Sequence, residues 1–284
     1  MATLRDIKTR IRSVRQIQKI TAAMKMVAVA KLRKHQIEQR RFAEFRAGIE
    51  GLYADFSRRA DPRDYPLMLD SGGAGETTIL VVTAERGLCG SYNHGLRRAA
   101  EVASAAEEKP PALLVTGAAN RKYFANRGFE VLEAQFPESI PARARVIGDF
   151  LRERFLVGTT SRVLAVCDRF ELDRTRGIRA IPLLPLAPPP EPNPDARRLV
   201  SYLLEPGFGS ICSWLCEYHL YSLIYGLLLD AAAGEEFARM NAMELATSNA
   251  DDLIFELTLS YNKARQEAIT MELLDIVGGS ASEN

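Results

Sequence analysis

Apolar residues recur at helical spacing along the first part of the chain, with no Pro or Gly between residues 1 and 47. Steps of three or four positions connect Leu4, Ile7, Ile11, Val14, Ile17, Ile20, Met24 and Val27. Such spacing places these side chains on one slowly drifting face of a helix. Gly48 and Gly51 can loosen its end, and Pro62 stops it. The pattern predicts an N-terminal helical domain over residues 1–62, with its apolar face turned toward a partner.

The last part of the chain carries a stricter seam. Its apolar positions alternate steps of four and three through Ala250, Ile254, Leu257, Tyr261, Ala264, Ala268 and Met271. This is the heptad spacing of a coiled coil, and it predicts a C-terminal helical domain over residues 208–284. A chain that leaves a globular body in one helix and returns in another must pair the two antiparallel. We therefore expect an antiparallel coiled coil of the N- and C-terminal helices.

Between these helices, short apolar runs rich in β-branched residues alternate with helical stretches, expected at about residues 92–108, 118–126 and 139–158. The strand candidates are residues 78–83, 112–116, 128–133, 162–167 and 178–184. Alternating strands and helices are typical of a mostly parallel sheet. The predicted fold class is thus α/β plus long helices, with a small α/β domain over residues 76–190 inserted into the coiled coil.

The charges of the two chain ends also indicate that the two helices pair. Residues 1–41 hold twelve basic and two acidic side chains, a balance of +10, whereas residues 235–284 hold ten acids and three bases, a balance of −7. The simplest use of opposite charge on two helical segments is to place them side by side. The net charge of the whole chain is +1, which argues against a protein that coats nucleic acid or membranes.

Cysteine content and hydropathy limit the cellular compartments in which the chain is expected. Four scattered cysteines are too few for a disulfide scaffold and favour a reducing cytosol. Cys212 and Cys216 lie four residues apart, and we interpret them as buried apolar side chains rather than zinc ligands. The N-terminus lacks the apolar segment of a secretory signal. Glu217 and His219 interrupt the most apolar run, residues 211–233, which therefore predicts a buried helix and no membrane span.

The sharpest local motif is the glycine-rich segment 83–93, TAERGLCGSYN, directly after the first predicted strand. A loop of this kind can hold phosphate on backbone N–H groups, but this one matches neither the dinucleotide fingerprint nor the P-loop. Cys89 could be the nucleophile of a strand–turn–helix elbow with His94 as base, although Ser91 replaces the glycine that the elbow requires. We favour a tight turn with a buried Cys89, presented for contact.

Two charged positions interrupt the helical seams. Lys25 lies within an apolar stretch, and Arg265 with Gln266 breaks the C-terminal seam, so each indicates a polar partner. The basic N-terminal face could also neutralise the phosphates of nucleic acid. Residues 1–41 lack the aromatic side chains that stack on bases, and an acidic complement is present in the same chain. A solvated or partner-facing helix is therefore favoured over nucleic-acid binding.

Longer motifs at both ends and in the middle cover essentially the whole chain. They are LRDIKTRIRSV (4–14), QKITAAMKMV (18–27), AKLR (30–33), RGLCG (86–90) with Asn93, LTLSYNKARQ (257–266) and ITMELLDIVGG (269–279). Together these motifs resemble one family, the F-type ATP synthase gamma subunit. The resemblance implies a central-stalk rotor: a coiled coil turning inside a ring of three alpha and three beta subunits, with a Rossmann-like domain at its base. It also implies no bond chemistry, no cofactor, and a peripheral place on the cytoplasmic face of the bacterial inner membrane.

The same resemblance implies contact residues and partners. The base would lie on the membrane c ring beside the epsilon subunit, gripping the ring through Tyr202 and Glu205 of the segment YLLEP (202–206). Met24 and Lys25 would meet the acidic C-terminal lever of the beta subunits, which the Cys89 turn would also face. The remaining expected contacts with the surrounding ring are Arg239, Arg265, Gln266 and Thr270.

This chain departs from the family pattern in residues 207–236, at Glu85, where Asp is usual, and at Ser280, where Ala is usual. These departures suggest a variant or second-copy ATPase, and proton or sodium coupling is not encoded in this subunit. Two other hypotheses stay open at this stage. One is a Rossmann-type nucleotide-binding enzyme with helical arms, and the other is a coiled-coil adaptor for nucleic acid.

Overall fold

A computed structural model describes residues 4–70, 75–170, 176–188 and 203–281, the last seven of these by their backbone only. Helix α1 spans Leu4–Ser57 and α5 spans Phe208–Ala281. Between them lie strands β1 (Glu76–Val81), β2 (Ala112–Val115), β3 (Thr160–Phe170) and β4 (Arg176–Leu184). The intervening helices are α2 (Tyr92–Ala105), α3 (Ala118–Ala125) and α4 (Ile140–Leu156). Among the described residues, no helix has a stretch both long and apolar enough to cross a membrane.

Local chemistry explains several of these boundaries. After α1 ends, Asp61 accepts a hydrogen bond from the backbone N–H of Arg63 and caps a short 3-10 turn that starts at Pro62. A proline in this first position is preset for a helical turn and has no N–H to leave unsatisfied. Helix α4 begins in the same way, because Ser139 Oγ accepts from Ala142 N and Pro141 follows in the first turn.

The four strands form one mixed sheet in the order β2-β1-β3-β4. Strand β1 pairs in parallel with both β2 and β3, so that Leu80 lies between Leu114 and Ala165, while β4 runs antiparallel along β3. Residues of β1 and β2 alternate between two packed faces, and such two-sided burial explains their continuous apolar runs. The expected layer of mostly parallel strands with helices on it is confirmed.

The strand predicted over residues 128–133 is wrong. Only Val131 forms a bridge, to Leu113 at the edge of the sheet. Strand β2 has four residues, and the turn before this segment is closed by Gly128 with a φ of 81°. The segment therefore meets the sheet over too short a length to form a ladder.

The described chain falls into two compact units. The central unit is residues 31–238, and the terminal unit combines residues 1–30 with 239–284. In the central unit, one face of the sheet packs on α4 and on parts of α1 and α5, with Leu80, Leu151 and Leu220 in its core. The other face packs on α2 and α3 through residues such as Ile79 and Leu96. Helices therefore cover both faces of a single small sheet.

In the terminal unit, the two chain ends pair as antiparallel helices. Contacts run from Gln18–Asp251 through Thr21–Thr247 to Lys25–Glu244, so residue numbers rise on one helix as they fall on the other. The central unit shows the same antiparallel order, from the Gln39–Asp230 hydrogen bond to the Phe56–Phe208 ring stack. The predicted fold class is confirmed, and the three domain boundaries proposed from the sequence stay predictions.

Candidate functional site

The first candidate surface is the outer face of α1 in the terminal unit. Ile17, Ile20 and Val27 are 54%, 59% and 56% exposed, so the expectation that they face the helical partner is wrong. The buried positions are Val14, Thr21 and Ala28, which follow heptad spacing. Small side chains at these positions allow the two helices to approach closely. The larger apolar side chains are consequently left on the outside.

Helix α5 has the same character in the terminal unit. Its seam is buried at Ala250 and half-buried at Ile254, Leu257, Tyr261 and Ala264, as the heptad spacing predicts. The seam ends there, because Ala268 and Met271 are exposed. Further large apolar side chains are exposed on the helix at Leu245, Phe255, Leu259, Ile269, Leu273 and Leu274. The terminal unit therefore presents apolar side chains from both helices to its surroundings.

Lys25 and Met24 are half-buried on α1. The Lys25 ammonium lies 2.8 Å from Glu244 Oε1 on α5, and both side chains remain partly in water. The polar partner that the sequence indicated for Lys25 is therefore present within the chain itself. An exposed pair of this kind contributes at most about 1 kcal/mol, so a second carboxylate can compete for the ammonium at little cost.

The loop after β1 has a buried anchor and an exposed tip. Cys89 is buried, and its Sγ donates to the carbonyl of Arg86 and accepts from Asn93 Nδ2, each at 3.8 Å. Leu88 and Gly90 on either side have φ near 60°, and Leu88 is exposed. A residue other than glycine is strained in this region, so the turn has one conformation imposed by its anchor. The predicted tight turn with a buried Cys89 is confirmed.

Several polar groups beside this loop bond to one another. Thr83 N donates to Thr116 Oγ1, and Gly117 N donates to Thr83 Oγ1, each at 3.0 Å. Asn93 Oδ1 accepts from Ala84 N at 3.1 Å and from Asn120 Nδ2 at 3.2 Å. These bonds clamp the carboxyl ends of β1 and β2 together.

The other expected contact residues are in different environments. Arg265, Gln266 and Thr270 are exposed on α5, with the Thr270 hydroxyl donating to the carbonyl of Gln266 at 2.9 Å. Arg239 is buried, with only 6% of its surface exposed. Glu205 is exposed, and Tyr202 lies outside the described residues.

Buried ionisable groups cluster where α1 and α5 pack in the central unit. The His219 ring stacks on Tyr53 with centroids 4.0 Å apart, and burial lowers the pKa of His219 from 6.5 to about 4. Burial likewise raises the pKa of the Cys216 thiol to about 12. Cys216 and Cys212 are both buried, as predicted, and a thiol held protonated is a poor nucleophile. Within the described ranges, no His, Cys, Asp and Glu side chains converge as a metal site would require.

Reasoning from the sequence missed several pairs. Glu244 is 219 positions from Lys25, and Glu85, singled out only as a departure, lies 2.6 Å from Arg143 on α4. The predicted buried helix over residues 211–233 is also wrong at Trp214 and Tyr218, which are exposed. No local signal marks the ion pairs, because their members are remote in sequence. The one available signal was Glu217, whose charge interrupts the apolar run and indicates that a face of α5 is exposed to solvent.

Comparison with known proteins adds an independent line of evidence. A sequence model of the family described as ATP synthase matches residues 3–282. The chain is similar to the ATP synthase gamma chain of Halothermothrix orenii, with 36% identity over 286 residues and 99% of each chain covered. It is 38% identical over 290 residues to that of Syntrophobacter fumaroxidans, covering 99% of this chain and 98% of the relative.

Two solved structures share the fold. One chain of the Euglena gracilis mitochondrial ATP synthase assembly of OSCP, F1 and c ring aligns with a TM-score of 0.65 at 16% identity, covering 98% of this chain and 94% of that one. A chain of the Tetrahymena thermophila central stalk and c ring aligns with a TM-score of 0.57 at 20% identity, covering 80% and 99%.

Proposed function

Because the chain belongs to the ATP synthase gamma chain family, as a non-catalytic subunit of the central stalk, we propose that its terminal unit is the part that transmits torque to the catalytic head. The observation that supports this most strongly is the outward placement of Ile17, Ile20 and Val27 around a seam of small residues. Exposed apolar residues in such number mark an interface with other proteins. The alpha and beta subunits of the head are the proposed partners for this face.

Rotation by this subunit requires contact and no bond chemistry. A rotor that binds one conformation of a catalytic subunit better than another shifts the populations of those conformations at each angle. Paired helices suit the task, because a single helix in water frays. We propose that Met24 and Lys25 meet the beta subunits, with a partner carboxylate exchanging with Glu244 for the Lys25 ammonium. Cys89 supports the same interface from its buried position by fixing the loop whose tip carries Leu88.

The exposed Arg265, Gln266 and Thr270 extend this contact surface along α5. Arg239 is proposed as a positioning residue, because its side chain is buried and unsuited to direct contact with a partner. Glu205 is exposed and is proposed, with Tyr202, as the grip on the c ring, beside the epsilon subunit. The proposed location is the cytoplasmic face of a bacterial inner membrane, as a peripheral subunit.

Reconstitution tests the proposal. The chain is mixed with alpha and beta subunits and ATP hydrolysis is measured, with the double variant Ile17→Ser/Ile20→Ser beside the unmodified chain. We expect the unmodified chain to support hydrolysis in the mixture and the variant to lose most of that effect while its circular dichroism is unchanged. Val102→Ser, an equally exposed change on α2 of the central unit, is the matched control and should behave like the unmodified chain.

Two outcomes would contradict the proposal. Full stimulation by the double variant would show that the outer face of α1 is not the driving contact. Stoichiometric nucleotide bound by the chain alone would favour the Rossmann-type enzyme, although the bonding of Thr83 and Asn93 to neighbouring protein groups argues against it.

A further inference from the structure

The loop between β1 and α2, residues 82–91, is attached to the central unit at two points. Near its α2 end, the buried Cys89 bonds within the loop and to the first turn of α2. Near its β1 end, Glu85 Oε1 lies 2.6 Å from Nη2 of Arg143 on α4. The exposed Leu88 lies between these two attachments. The tip of the loop is therefore held from both sides.

The Arg143 guanidinium contacts more than the loop. Its Nε donates to the Pro137 carbonyl at 3.0 Å, and its Nη2 donates to the Glu138 carbonyl at 3.4 Å. Both carbonyls belong to the segment that leads into α4. The side chain of Arg143 is only 12% exposed. A planar guanidinium directs its donors along fixed directions, so Arg143 is already oriented toward Glu85 by the two carbonyls.

The position of Arg143 opposes the dipole of its own helix. Helix α4 begins at Ile140, and its first turn includes Arg143 and no acidic residue. The N-terminus of a helix has a partial positive charge, which favours acids and disfavours a guanidinium. The stability of α4 therefore does not explain an arginine here. Its contacts with Glu85 and the two carbonyls do.

Apolar packing does not fix this side of the loop. An open cavity of about 270 Å³ lies beside it, lined by Glu85 and Arg86 of the loop, by Ile140 and Arg143 of α4, and by Ala232 of α5. Glu85 and Arg86 are charged and exposed, so they gain little from burial. The ion pair with Arg143 spans this cavity and links the loop to α4. Without it, the first half of the loop has room to move.

We propose that Arg143 is a positioning residue for the contact of this loop with the beta subunits. Through Glu85 it holds the first half of the loop against α4, and Leu88 is thereby presented in one orientation. A loop that is fixed before binding loses less conformational freedom on contact, so its contact is stronger. This inference rests on the proposed function, because it takes the partner of the loop tip from it. It adds a second anchor to the one that Cys89 provides.

Labelling of Cys89 with N-ethylmaleimide measures opening of the loop in the free chain. Cys89 is buried, so the reagent reaches it only when the loop opens, and the rate of labelling follows the population of the open form. We expect Glu85→Ala to raise this rate about threefold to fivefold, as the loss of an ion pair of this exposure allows. Glu85→Gln keeps an acceptor for Arg143 and should give a smaller increase. Mass spectrometry assigns the label to Cys89.

Two arginines of α4 provide the matched pair of variants. Arg143→Met should raise the rate of Cys89 labelling as Glu85→Ala does. Arg145→Met changes an exposed arginine two positions further along the helix and should leave the rate unchanged. Arg143→Met also removes the donor from two carbonyls, so Glu85→Ala decides the test if Arg143→Met fails to fold. Unchanged labelling in Glu85→Ala would show that the ion pair does not hold the loop.

Reconstitution with alpha and beta subunits tests whether the ion pair acts through the loop tip. Glu85→Ala should lower the stimulated rate of ATP hydrolysis. Leu88→Asn should lower it as well, because it removes the apolar side chain at a position of positive φ that Asn tolerates. Adding Glu85→Ala to Leu88→Asn should cause no further loss, since the tip that Glu85 positions is already altered. A merely structural effect of Glu85→Ala would instead add to that of Leu88→Asn.

The outcomes separate this inference from the proposed function. Additive losses in the double variant, or full stimulation by Glu85→Ala, would overturn the positioning role and leave the proposed function intact. If the unmodified chain itself fails to stimulate hydrolysis, the proposed function fails and the positioning role with it. Faster labelling of Cys89 together with a non-additive loss of hydrolysis supports both.

Discussion

The central unit of this chain buries a large apolar core, whereas the terminal unit buries few apolar side chains. In the central unit, Leu80 and Leu114 are completely buried within a sheet that has helices on both faces. In the terminal unit, Ile17 and Ile20 are more than half exposed, and Thr21 occupies the buried position beside them. The central unit uses its apolar surface to form its own core. The terminal unit leaves much of its apolar surface available to partners.

This difference indicates that the free energy of unfolding comes mainly from the central unit and that contact with other proteins falls mainly to the terminal unit. Burial of apolar area is the main favourable term in folding, so the central unit is expected to hold most of the free energy of unfolding. Two helices that leave large apolar side chains in water gain less from pairing. In the proposed function, other subunits cover these exposed residues and supply the missing burial. Substitutions should therefore reduce stability in the central unit and reduce assembly in the terminal unit.

The largest expected effect is on stability. Leu80→Ala removes a fully buried side chain between two neighbouring strands and should lower the free energy of unfolding by about 2–5 kcal/mol. Leu259→Ala, the matched change at a residue 55% exposed in the terminal unit, should stay within about 0.5 kcal/mol. Urea denaturation followed by circular dichroism measures both. Equal losses would refute the division between the units.

Acid should weaken the central unit through His219. Its pKa in the folded protein is lowered to about 4 by burial, against an ordinary value of 6.5, so the unfolded chain binds a proton first as the pH falls. The contribution of neutral His219 to stability is therefore complete above pH 6.5 and declines as the pH falls through about 4, by about 3 kcal/mol in all. His219→Phe keeps a ring against Tyr53 and should remove this part of the pH dependence.

The control for that experiment is His94→Gln, which changes an exposed histidine of the same unit. It should keep the acid sensitivity of the unmodified chain in urea titrations at pH 7 and at about pH 4. All three histidines lie in the central unit, so this titration reports on that unit. An unchanged pH profile in His219→Phe would show that the acid sensitivity arises elsewhere.

The sequence predicts the strands and helices of the central unit well. Their residues are strongly buried, and this burial is visible in the local pattern of apolar residues. The runs that form β1, β2 and β3 are apolar on both faces, and the helical stretch expected over residues 139–158 corresponds to α4 (Ile140–Leu156). The failure at residues 128–133 has a physical reason. That segment has the composition of a strand, but Leu113 is the one described residue that forms a bridge with it, at Val131.

The sequence predicts the terminal unit less well, because hydrophobic periodicity gives the spacing of residues on a helix face but does not show what that face packs against. Ile17 and Thr21 both fit a helical repeat, but only Thr21 meets the partner helix, at Thr247. The whole apolar stripe is expected to face the helix pair, whereas Ile17, Ile20 and Val27 on it are exposed. Similarly, a heptad seam identifies α5 but does not show that Glu244 is the residue opposite Lys25.

Exchanging the charges of Lys25 and Glu244 tests the role of Lys25. Lys25→Glu places two carboxylates where an ion pair of 2.8 Å existed, and it should cost about 0.2–1 kcal/mol of stability because the pair is exposed. The double variant Lys25→Glu/Glu244→Lys should recover that loss in urea denaturation. Coupling of hydrolysis to ion pumping should remain impaired in the double variant, since the charge that we propose to face the beta subunits is still reversed. Recovery of coupling together with stability would assign Lys25 to the helix pair alone.

The smallest expected effect concerns the buried hydroxyls of the helix pair. Thr21 Oγ1 lies 2.8 Å from Thr247 Oγ1 and 3.0 Å from the Gln18 carbonyl, while Thr247 Oγ1 lies 2.7 Å from the Met243 carbonyl. Each hydroxyl has one proton, so only one of them can donate across the pair while the other bonds within its own helix. Thr21→Val therefore removes one bond and leaves Thr247 satisfied by Met243, at a cost below about 1 kcal/mol.

The double variant Thr21→Val/Thr247→Val decides what holds the terminal unit together. Replacing both partners of a hydrogen bond by apolar groups of similar shape is nearly neutral, so the double variant should cost no more than either single change. Thr258→Val provides the baseline for losing such a bond, because the Thr258 hydroxyl donates to the Ile254 carbonyl of its own helix. The measurement is a double-mutant cycle of unfolding free energies, with hydrogen exchange over residues 14–28 as a local readout. If the double variant instead loses about 2 kcal/mol or more, polar contacts hold the pair, and the small seam is secondary.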